Sequence, residues 1–416
     1  MHVLVVGPGL LFALLLQTTA CVWGGMCAVA APVLASSLGG ISKEETASVE
    51  WMLSQVRKTG CKKLSLTMEL WDHVSRKWKT IPDAHHIHRV LSMKKEHRIL
   101  LWRMLCPGVC WEKVQMGGQS LGPKCRVEDD DFATLCATGS MEGVKHLLLH
   151  CMDRVTDQCF LSLAQAGCGT QLTSLFLSGL GEGVTDEGCR ALGRAGCGVQ
   201  LISLSLVDLQ EGVTDVGLCA LADAGCGARL TSLTLYKLMK GVTDRSLQAL
   251  SRAGCGPQLT NLHLGYLMEL VTDEGLCALA TRGCGAQLKS LILDCLMERV
   301  TDNSFHALAE AGCGQQLTSL SLSCLEMGVT DSGLQSLVQA GCGPQLTTLE
   351  FEDLSQKATI VGLRMLAEAG CGMQLTSLVL DNTDSLPSVS DEELCALAKA
   401  GCGAALTSLT LFALNE

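Results

Sequence analysis

Cysteine is the residue type that most suggests chemistry in this chain of 416 residues, which contains 24 cysteines. Thiolates bind metals, form disulfides and attack electrophiles. Nine of them lie in a recurring Gly-Cys-Gly tripeptide, at a constant spacing that is longer only at the last step: Cys168, Cys197, Cys226, Cys255, Cys284, Cys313, Cys342, Cys371 and Cys402. A residue repeated at a fixed period has a structural role, because an active site is unique. We therefore expect reduced thiols packed as small apolar side chains, with disulfides between neighbouring repeats as the alternative.

Two short clusters outside this column contain metal-ligand side chains. They are Cys106, Cys110 and Cys125, and His85, His86 and His88. Neither has the paired C-x2-C spacing of a structural zinc site. The sequence therefore predicts no metal site and no cofactor, and the three histidines are interpreted as surface residues.

A Val-Thr-Asp tripeptide recurs in phase with the cysteines, and its carboxylates are the best candidates for acid–base chemistry. They are Asp186, Asp215, Asp244, Asp273, Asp302 and Asp331. Each helix needs a capping oxygen at its N-terminus, which Thr or Asp supplies. No nucleophile, base and orienting group occur together. We therefore interpret the aspartates as helix starts and expect a protein that is not an enzyme.

The cysteines and aspartates recur because the strands and helices that contain or flank them recur. Leu172-x-x-Leu175-x-Leu177 alternates apolar and polar residues, which is typical of a strand, and pairs such as Leu218 and Leu221 have helical spacing. Glycine after each helix permits the left-handed backbone that ends it. Each unit of about 29 residues is thus predicted to contain one strand and one helix, which stack into a solenoid.

The repeat resembles the leucine-rich repeat, in the cysteine-containing subtype of F-box/leucine-rich-repeat proteins. The resemblance covers about residues 139–414 and implies an α/β fold: a right-handed horseshoe similar to ribonuclease inhibitor, with a concave parallel sheet and convex helices. One column departs from the family, because leucine replaces the usual Cys or Asn after each strand: Leu180, Leu209, Leu238, Leu267, Leu296, Leu325 and Leu354. The turn must therefore use other hydrogen-bond partners.

Composition divides the chain into three segments. Residues 1–40 have no charged side chain; residues 41–138 contain 16 Lys and Arg against 12 Asp and Glu, a net charge of +4; residues 139–416 contain 15 against 30, a net charge of −15. The acidic array of about nine units is a poor candidate for nucleic-acid binding, which needs clustered cations.

The apolar leader leaves its own question open. The stretch from Val3 to Trp23 fits a signal peptide cleaved after Ala20 or a membrane anchor, but no cation precedes it, and a merely apolar N-terminus is the alternative. Reduced thiols favour a cytoplasmic location, whereas a functional leader implies a secreted or membrane-anchored protein.

The basic segment 41–138 is predicted to be a helical cap or a diverged docking module. Glu44–Lys58 suggests an amphipathic helix, and the residues from Gly60 to Leu66 suggest a degenerate repeat. Its cations are interpreted as a solvated face that also caps the acidic array, or as a patch for phosphate or for an acidic protein. The resemblance implies an F-box that docks on a cullin ubiquitin-ligase adaptor, but the expected Leu-Pro start is not convincingly present.

The variable strand positions predict where a partner binds. Positions that differ between repeats are not dictated by the fold, and an aromatic cluster beside an acidic patch suits protein binding. The predicted residues are Phe176, Tyr236, Lys237, His263, Tyr266, Asp294, Glu350, Glu352 and Asp353. We predict an interaction scaffold that binds a protein on its concave face. The alternatives are a substrate receptor of a cullin ligase and a secreted or anchored recognition protein. The final strand also predicts end-to-end self-association, because it has no capping segment.

Overall fold

The computed structural model describes residues 42–58, 63–67, 69–72, 77–80, 84–105, 110–118, 125–209, 212–238, 241–267, 270–296, 299–325, 328–352, 360–381, 398–399, 401 and 405–411. The chain divides into two compact units, which meet in sequence at Gln200 and Leu201. The apolar leader lies outside the described residues, so its role and the cellular location remain predictions. No described helix is long and apolar enough to cross a bilayer.

The first unit combines an irregular beginning with regular repeats. Its elements are α1 (Lys43–Lys58), β1 (Lys63–Thr67), β2 (Glu69–Asp72), β3 (Lys77–Thr80), α2 (Ala84–Ser92), α3 (Lys95–Leu105), β4 (Lys113–Gly117), α4 (Asp129–Ala137), β5 (His146–Met152), α5 (Asp157–Gln165), β6 (Ser174–Leu180) and α6 (Asp186–Arg194). Strands β1, β4, β5 and β6 form consecutive parallel pairs, whereas β2 and β3 form an antiparallel hairpin. Strand β1 supports the hypothesis of a diverged repeat in the basic segment.

The second unit repeats one strand and one helix. Its elements are β7 (Ser203–Val207), α7 (Asp215–Asp223), β8 (Ser232–Tyr236), α8 (Asp244–Arg252), β9 (Asn261–Gly265), α9 (Asp273–Ala280), β10 (Ser290–Asp294), α10 (Asp302–Glu310), β11 (Ser319–Ser323), α11 (Asp331–Gln339), β12 (Thr348–Glu352), α12 (Ile360–Glu368), a 3-10 turn (Cys371–Met373), β13 (Ser377–Asp381) and β14 (Ser408–Leu411). Each strand pairs in parallel with the next in the sequence. This is the predicted leucine-rich-repeat solenoid.

Leucines in register form the core of the second unit. Leu204 pairs with Leu233 and Leu206 with Leu235, and all four are fully buried. The intervening residues, such as Ser205, are half-buried on the opposite face of the sheet. The apolar alternation of each strand therefore places one face against the helices, as expected from the period of two.

The cysteine column belongs to the same core. Its described members are buried, and Cys226, Cys255, Cys284, Cys313 and Cys342 have no exposed surface. Burial raises the pKa of Cys255 to about 12, so this thiol is protonated near neutral pH. This burial agrees with the interpretation of the column as small apolar side chains.

Each helix ends at the glycine that precedes this cysteine. Gly225 has a φ of 89° after α7. Its N–H donates to the carbonyl of Ala222 at 2.8 Å, and the Cys226 N–H donates to the carbonyl of Leu221 at 3.0 Å. A left-handed residue with these bonds closes a helix C-terminus, so the predicted glycine stop is present.

Thr and Asp have different roles at the helix N-termini, although the sequence alone did not show which of the two caps the helix. Threonine is the N-cap: the hydroxyl of Thr301 accepts from the Asn303 N–H at 3.2 Å. Aspartate instead bonds to the following repeat. The carboxylate of Asp273 accepts from the Thr301 N–H at 2.8 Å and from the Thr301 hydroxyl at 2.6 Å.

The same Thr–Asp ladder is found along both units. Its other described pairs are Asp129 with Thr156, Asp157 with Thr185, Asp215 with Thr243, Asp244 with Thr272 and Asp302 with Thr330. A further donor comes from two residues after the helix start, either a serine hydroxyl or a main-chain N–H of glycine or, for Asp129, of Cys159. The Gly275 N–H donates to Asp244 at 3.0 Å, and a Cβ at Gly275 would lie 2.5 Å from that carboxylate oxygen. The aspartates thus join successive coils.

A different cluster holds the irregular part of the first unit together. Arg98 on α3 and Asp131 on α4 are fully buried and form a two-bond ion pair, with distances of 3.1 and 2.8 Å. Two further guanidinium hydrogens donate to the carbonyls of Met93 and Arg126. The indole N–H of Trp102 donates to the Asp131 carboxylate at 2.6 Å. Both buried charges are therefore compensated.

Candidate binding surface

In five consecutive repeats of the second unit, a main-chain hydrogen bond closes the turn after the strand. A non-glycine residue with a φ between 48° and 57° follows the strand in five consecutive repeats: Asp208, Lys237, Tyr266, Cys295 and Cys324. We call these residues the strand-end column. Their N–H groups donate to the carbonyls of Tyr236, Gly265, Asp294, Ser323 and Glu352, respectively, at 2.8–2.9 Å.

These bonds explain how the family's Asn or Cys ladder is replaced. The leucine that follows the column is buried at each described position, as at Leu238 and Leu267. The N–H group of each column residue is therefore satisfied by a carbonyl of the neighbouring strand. Left-handed backbone at a bulky residue such as Tyr266 is uncommon and costs free energy, which the neighbouring bonds offset.

Three aromatic residues of the predicted site come together on β8, on β9 and in the turn after β9. The ring of Tyr236 lies 5.2 Å from that of His263 and 5.1 Å from that of Tyr266, between centroids. The second pair is edge-to-face, a favoured aromatic geometry. Tyr266 is 40% exposed, whereas Tyr236 and His263 are half-buried. The cluster therefore presents an aromatic surface on a rigid frame.

Charged side chains flank this cluster. On the preceding turn, the ammonium of Lys237 lies 3.0 Å from the carboxylate of Asp208. The predicted acidic residues Glu350 and Glu352 are half-buried on β12, three strands beyond β9. The hydroxyl of Ser323 donates to Glu352 at 3.4 Å. Asp353 lies outside the described residues.

Thiols and a carboxylate converge between the aromatic and acidic parts. Ligand atoms of Asp294, Cys295 and Cys324 all lie within 4.8 Å of one another, and the three residues are half-buried. Burial raises the pKa of Cys295. A hydrogen bond with Cys295 is the largest cause of the raised pKa of Tyr266. Both groups are therefore uncharged near neutral pH, and the aromatic cluster is continuous with the thiols.

One predicted residue belongs to the first unit. Phe176 is on β6 in the first unit, half-buried, with its ring 6.5 Å from that of His150 in an edge-to-face arrangement. We call the second-unit group from Tyr236 to Glu352 the outer sheet face. The structure brings Tyr236, Lys237, His263, Tyr266 and Asp294 together there on three successive strands.

The convergence of Cys295 with Cys324 was missed from the sequence. Neither cysteine is among the predicted site residues, although Asp294 is. The signal was nevertheless present, since the two hold equivalent positions in consecutive repeats and therefore occupy the same place on neighbouring coils.

The comparison with solved structures supports the fold. One similar structure is the yeast complex of Rad7 and Elc1: it matches with a TM-score of 0.55 and 18% sequence identity, covering 88% of this chain and 81% of the matched chain. At this identity the likeness establishes the fold alone, and it agrees with the predicted leucine-rich-repeat solenoid. No protein-family model matches the chain, and no curated protein matches it in sequence.

Proposed function

We propose that the chain is a non-enzymatic interaction scaffold and that a protein partner binds its outer sheet face around Tyr236 and Tyr266. The observation that carries this proposal is the aromatic cluster: the rings lie 5.1 Å apart, and Tyr266 is exposed. Tyrosine has a large, rigid and amphipathic side chain, and it is enriched among the residues that contribute most to binding energy at protein interfaces.

The contrast between frame and surface supports a recognition role. The leucines, threonines and aspartates recur because every coil needs them, whereas the outer residues change from coil to coil. The recurring aspartates, the best candidates for acid–base chemistry, accept hydrogen bonds that join the described coils, as Asp273 does from Thr301. A structural role accounts for them.

Affinity capture from the cells of origin tests this placement. The double variant Tyr236→Ala/Tyr266→Ala removes both rings from the face. Proteins retained by the unmodified chain should be reduced at least tenfold on this variant, measured by quantitative mass spectrometry, because interface aromatics dominate binding. The melting temperature should remain nearly the same, since these side chains lie outside the leucine core.

A matched variant on the helices controls for loss of surface area. Val216→Ala/Arg252→Ala alters an exposed apolar residue on α7 and an exposed cation on α8. It should retain the same proteins as the unmodified chain. Equal capture by the tyrosine variant and this control would reject the aromatic cluster as the binding site.

A second proposal is a substrate receptor of a cullin-type ubiquitin ligase. It is favoured by the similar solved structure, in which Rad7 is found in a complex with Elc1, and by the three helices α1, α2 and α3 before the regular repeats. A cullin adaptor should then copurify with the chain in comparable amount and should stay bound to the tyrosine variant. Absence of any adaptor would leave the scaffold proposal and exclude the ligase.

A further inference from the structure

We propose that Asp294, Cys295 and Cys324 form a binding site for a thiophilic divalent cation, with Zn²⁺ as the ion that best fits the ligands. The proposal rests on the convergence of two sulfur atoms and one carboxylate within 4.8 Å. It is independent of any protein partner, because all three ligands belong to this chain.

The backbone brings the two thiols together. Strands β10 and β11 are parallel, with Asp294 opposite Ser323, so the next residues, Cys295 and Cys324, are neighbours on adjacent coils. Both have a φ of 48°. Their N–H groups are fixed to the carbonyls of Ser323 and Glu352 at 2.9 and 2.8 Å. Two side chains with the same backbone conformation and a strand spacing of about 4.8 Å leave the sheet side by side.

The distances suit zinc with little adjustment. Zn–S bonds of about 2.3 Å at tetrahedral angles place two sulfur atoms roughly 3.8 Å apart. Ligand atoms already within 4.8 Å must therefore approach by about 1 Å or less, which side-chain rotation achieves. The site is half-exposed, so an ion has access from solvent, and water supplies the fourth ligand.

The ligand types select the metal. Thiolates favour zinc over magnesium or calcium, which prefer sites composed only of oxygen. When zinc binds, Cys295 and Cys324 each release one H⁺ to solvent and bind the ion as thiolates. The carboxylate of Asp294 is the third negative ligand. The hydroxyl of Tyr266 forms a hydrogen bond with Cys295 and would orient its sulfur in the complex.

The fold itself does not require thiols at these positions. The three preceding members of the strand-end column are Asp208, Lys237 and Tyr266, and their turns close in the same way. The cysteines of the Gly-Cys-Gly tripeptides, such as Cys255, are by contrast buried and recur in every coil. Cys295 and Cys324 therefore differ from the core cysteines in both exposure and repetition, and a ligand explains their presence.

Titration of the reduced, metal-free full chain with Co²⁺ tests the proposal directly. One equivalent should give the intense visible bands of tetrahedral cobalt together with thiolate-to-cobalt charge-transfer absorption, and Zn²⁺ should displace it. The double variant Cys295→Ser/Cys324→Ser should no longer bind this equivalent of cobalt. The variant Asp294→Asn should bind cobalt at least tenfold more weakly. Cys219→Ser/Cys277→Ser, which removes two half-buried thiols on α7 and α9, should bind as the unmodified chain does.

Two results would overturn the site. One is a charge-transfer spectrum that persists in Cys295→Ser/Cys324→Ser; the other is an unmodified chain that binds cobalt without thiolate absorption. If circular dichroism shows that Cys295→Ser/Cys324→Ser is unfolded, the protection of the two thiols from alkylation is measured instead. One equivalent of Zn²⁺ should slow alkylation of Cys295 and Cys324 at least tenfold in the unmodified chain, and equal rates with and without zinc would also reject the site.

Discussion

The Thr–Asp ladder of the second unit and the Arg98 cluster of the first satisfy buried polar groups in opposite ways. In the ladder, each aspartate makes a few bonds to the next coil, as Asp273 does to Thr301, and the arrangement is repeated. In the first unit, one guanidinium bridges α3, the chain at Arg126 and α4 through bonds that occur once. Repetition spreads the stabilisation, whereas the irregular segment concentrates it.

This difference indicates how each unit responds to damage. A solenoid is stabilised by contacts between nearest neighbours, so loss of one bond set weakens one junction. A buried ion pair that loses one partner leaves an uncompensated charge in the core. The first unit should therefore be sensitive at one place, and the second unit moderately sensitive at many.

Replacement of Arg98 by Met gives the largest expected effect. The change leaves Asp131 buried without its cation and should cost about 3–5 kcal/mol of unfolding free energy. Urea unfolding measures the loss, and hydrogen exchange should rise most in α3 and α4. Arg103→Ala, an exposed cation on the same helix, should change stability by less than about 0.5 kcal/mol. Similar values for the two variants would mean that the cluster does not concentrate stability.

Replacement of Asp273 by Ala should give an intermediate effect. It removes the acceptor for Thr301 and for the Ser304 hydroxyl, at 2.5 Å, and leaves these donors partly buried. A cost of about 1–3 kcal/mol follows from unsatisfied donors. Asp223→Ala, at the exposed C-terminal end of α7, is the matched control and should be nearly neutral. Hydrogen exchange should increase near α9 and α10 only, if each junction is local.

The same aspartate predicts a pH dependence. Burial raises the pKa of Asp273, but hydrogen bonds from Ser304, Thr301 and Asn303 together outweigh it and lower the pKa. Its stabilisation is therefore complete above the unfolded pKa of about 3.9 and is lost as the pH falls through the lower folded value. The stability difference between the unmodified chain and Asp273→Asn should shrink only in that acidic window. A constant difference down to pH 2 would contradict the assignment.

Replacement of Lys237 by Gly should give the smallest effect. Glycine adopts the φ of 57° without strain, which favours the folded state, while loss of the exposed pair with Asp208 costs little. We expect a gain of at most about 1 kcal/mol. Lys237→Ala removes the same ion pair but keeps the strain, so it should be the less stable of the two by urea unfolding. The reverse order would show that the turn is unstrained.

Much of the second unit could be predicted from the sequence, because its strands and helix ends are determined by residues close together in the chain. Leucine alternation predicts the strands, and threonine and glycine mark where helices begin and end, as Thr301 and Gly312 do. The bond from Asp273 to the next coil was not predicted, since it depends on how neighbouring coils are aligned. The left-handed backbone of Tyr266 also has no sequence signal, because the column contains an acidic, a basic and an aromatic residue as well as two cysteines, and none of these is glycine.

The first unit was less predictable for a related reason. Strands β1 and β4 pair in parallel, but the hairpin and two helices between them hide the repeat period. The prediction of a helix at Glu44–Lys58 is confirmed by α1, since amphipathic periodicity is local. The Arg98 cluster joins residues 33 positions apart that no repeat relates. The division at residues 40 and 138 remains a prediction.

Some functional predictions also remain untested. Strand β14 follows β13 at the end of the sheet order, and Leu409 is 53% exposed, but end-to-end association stays a prediction. The same holds for the absence of nucleic-acid binding and for the binding role of Phe176, Glu350 and Glu352.

The strand-end column separates the geometry of a turn from the identity of its side chain. Its turns are closed by main-chain bonds, so Asp208, Lys237, Tyr266, Cys295 and Cys324 share one left-handed conformation although they include four side-chain types. The bond needs only a main-chain N–H, so residues other than proline can replace these without loss of the bond that closes the turn. A library randomised at this column alone would sample many recognition surfaces on one unchanged frame, and selection could adjust affinity coil by coil.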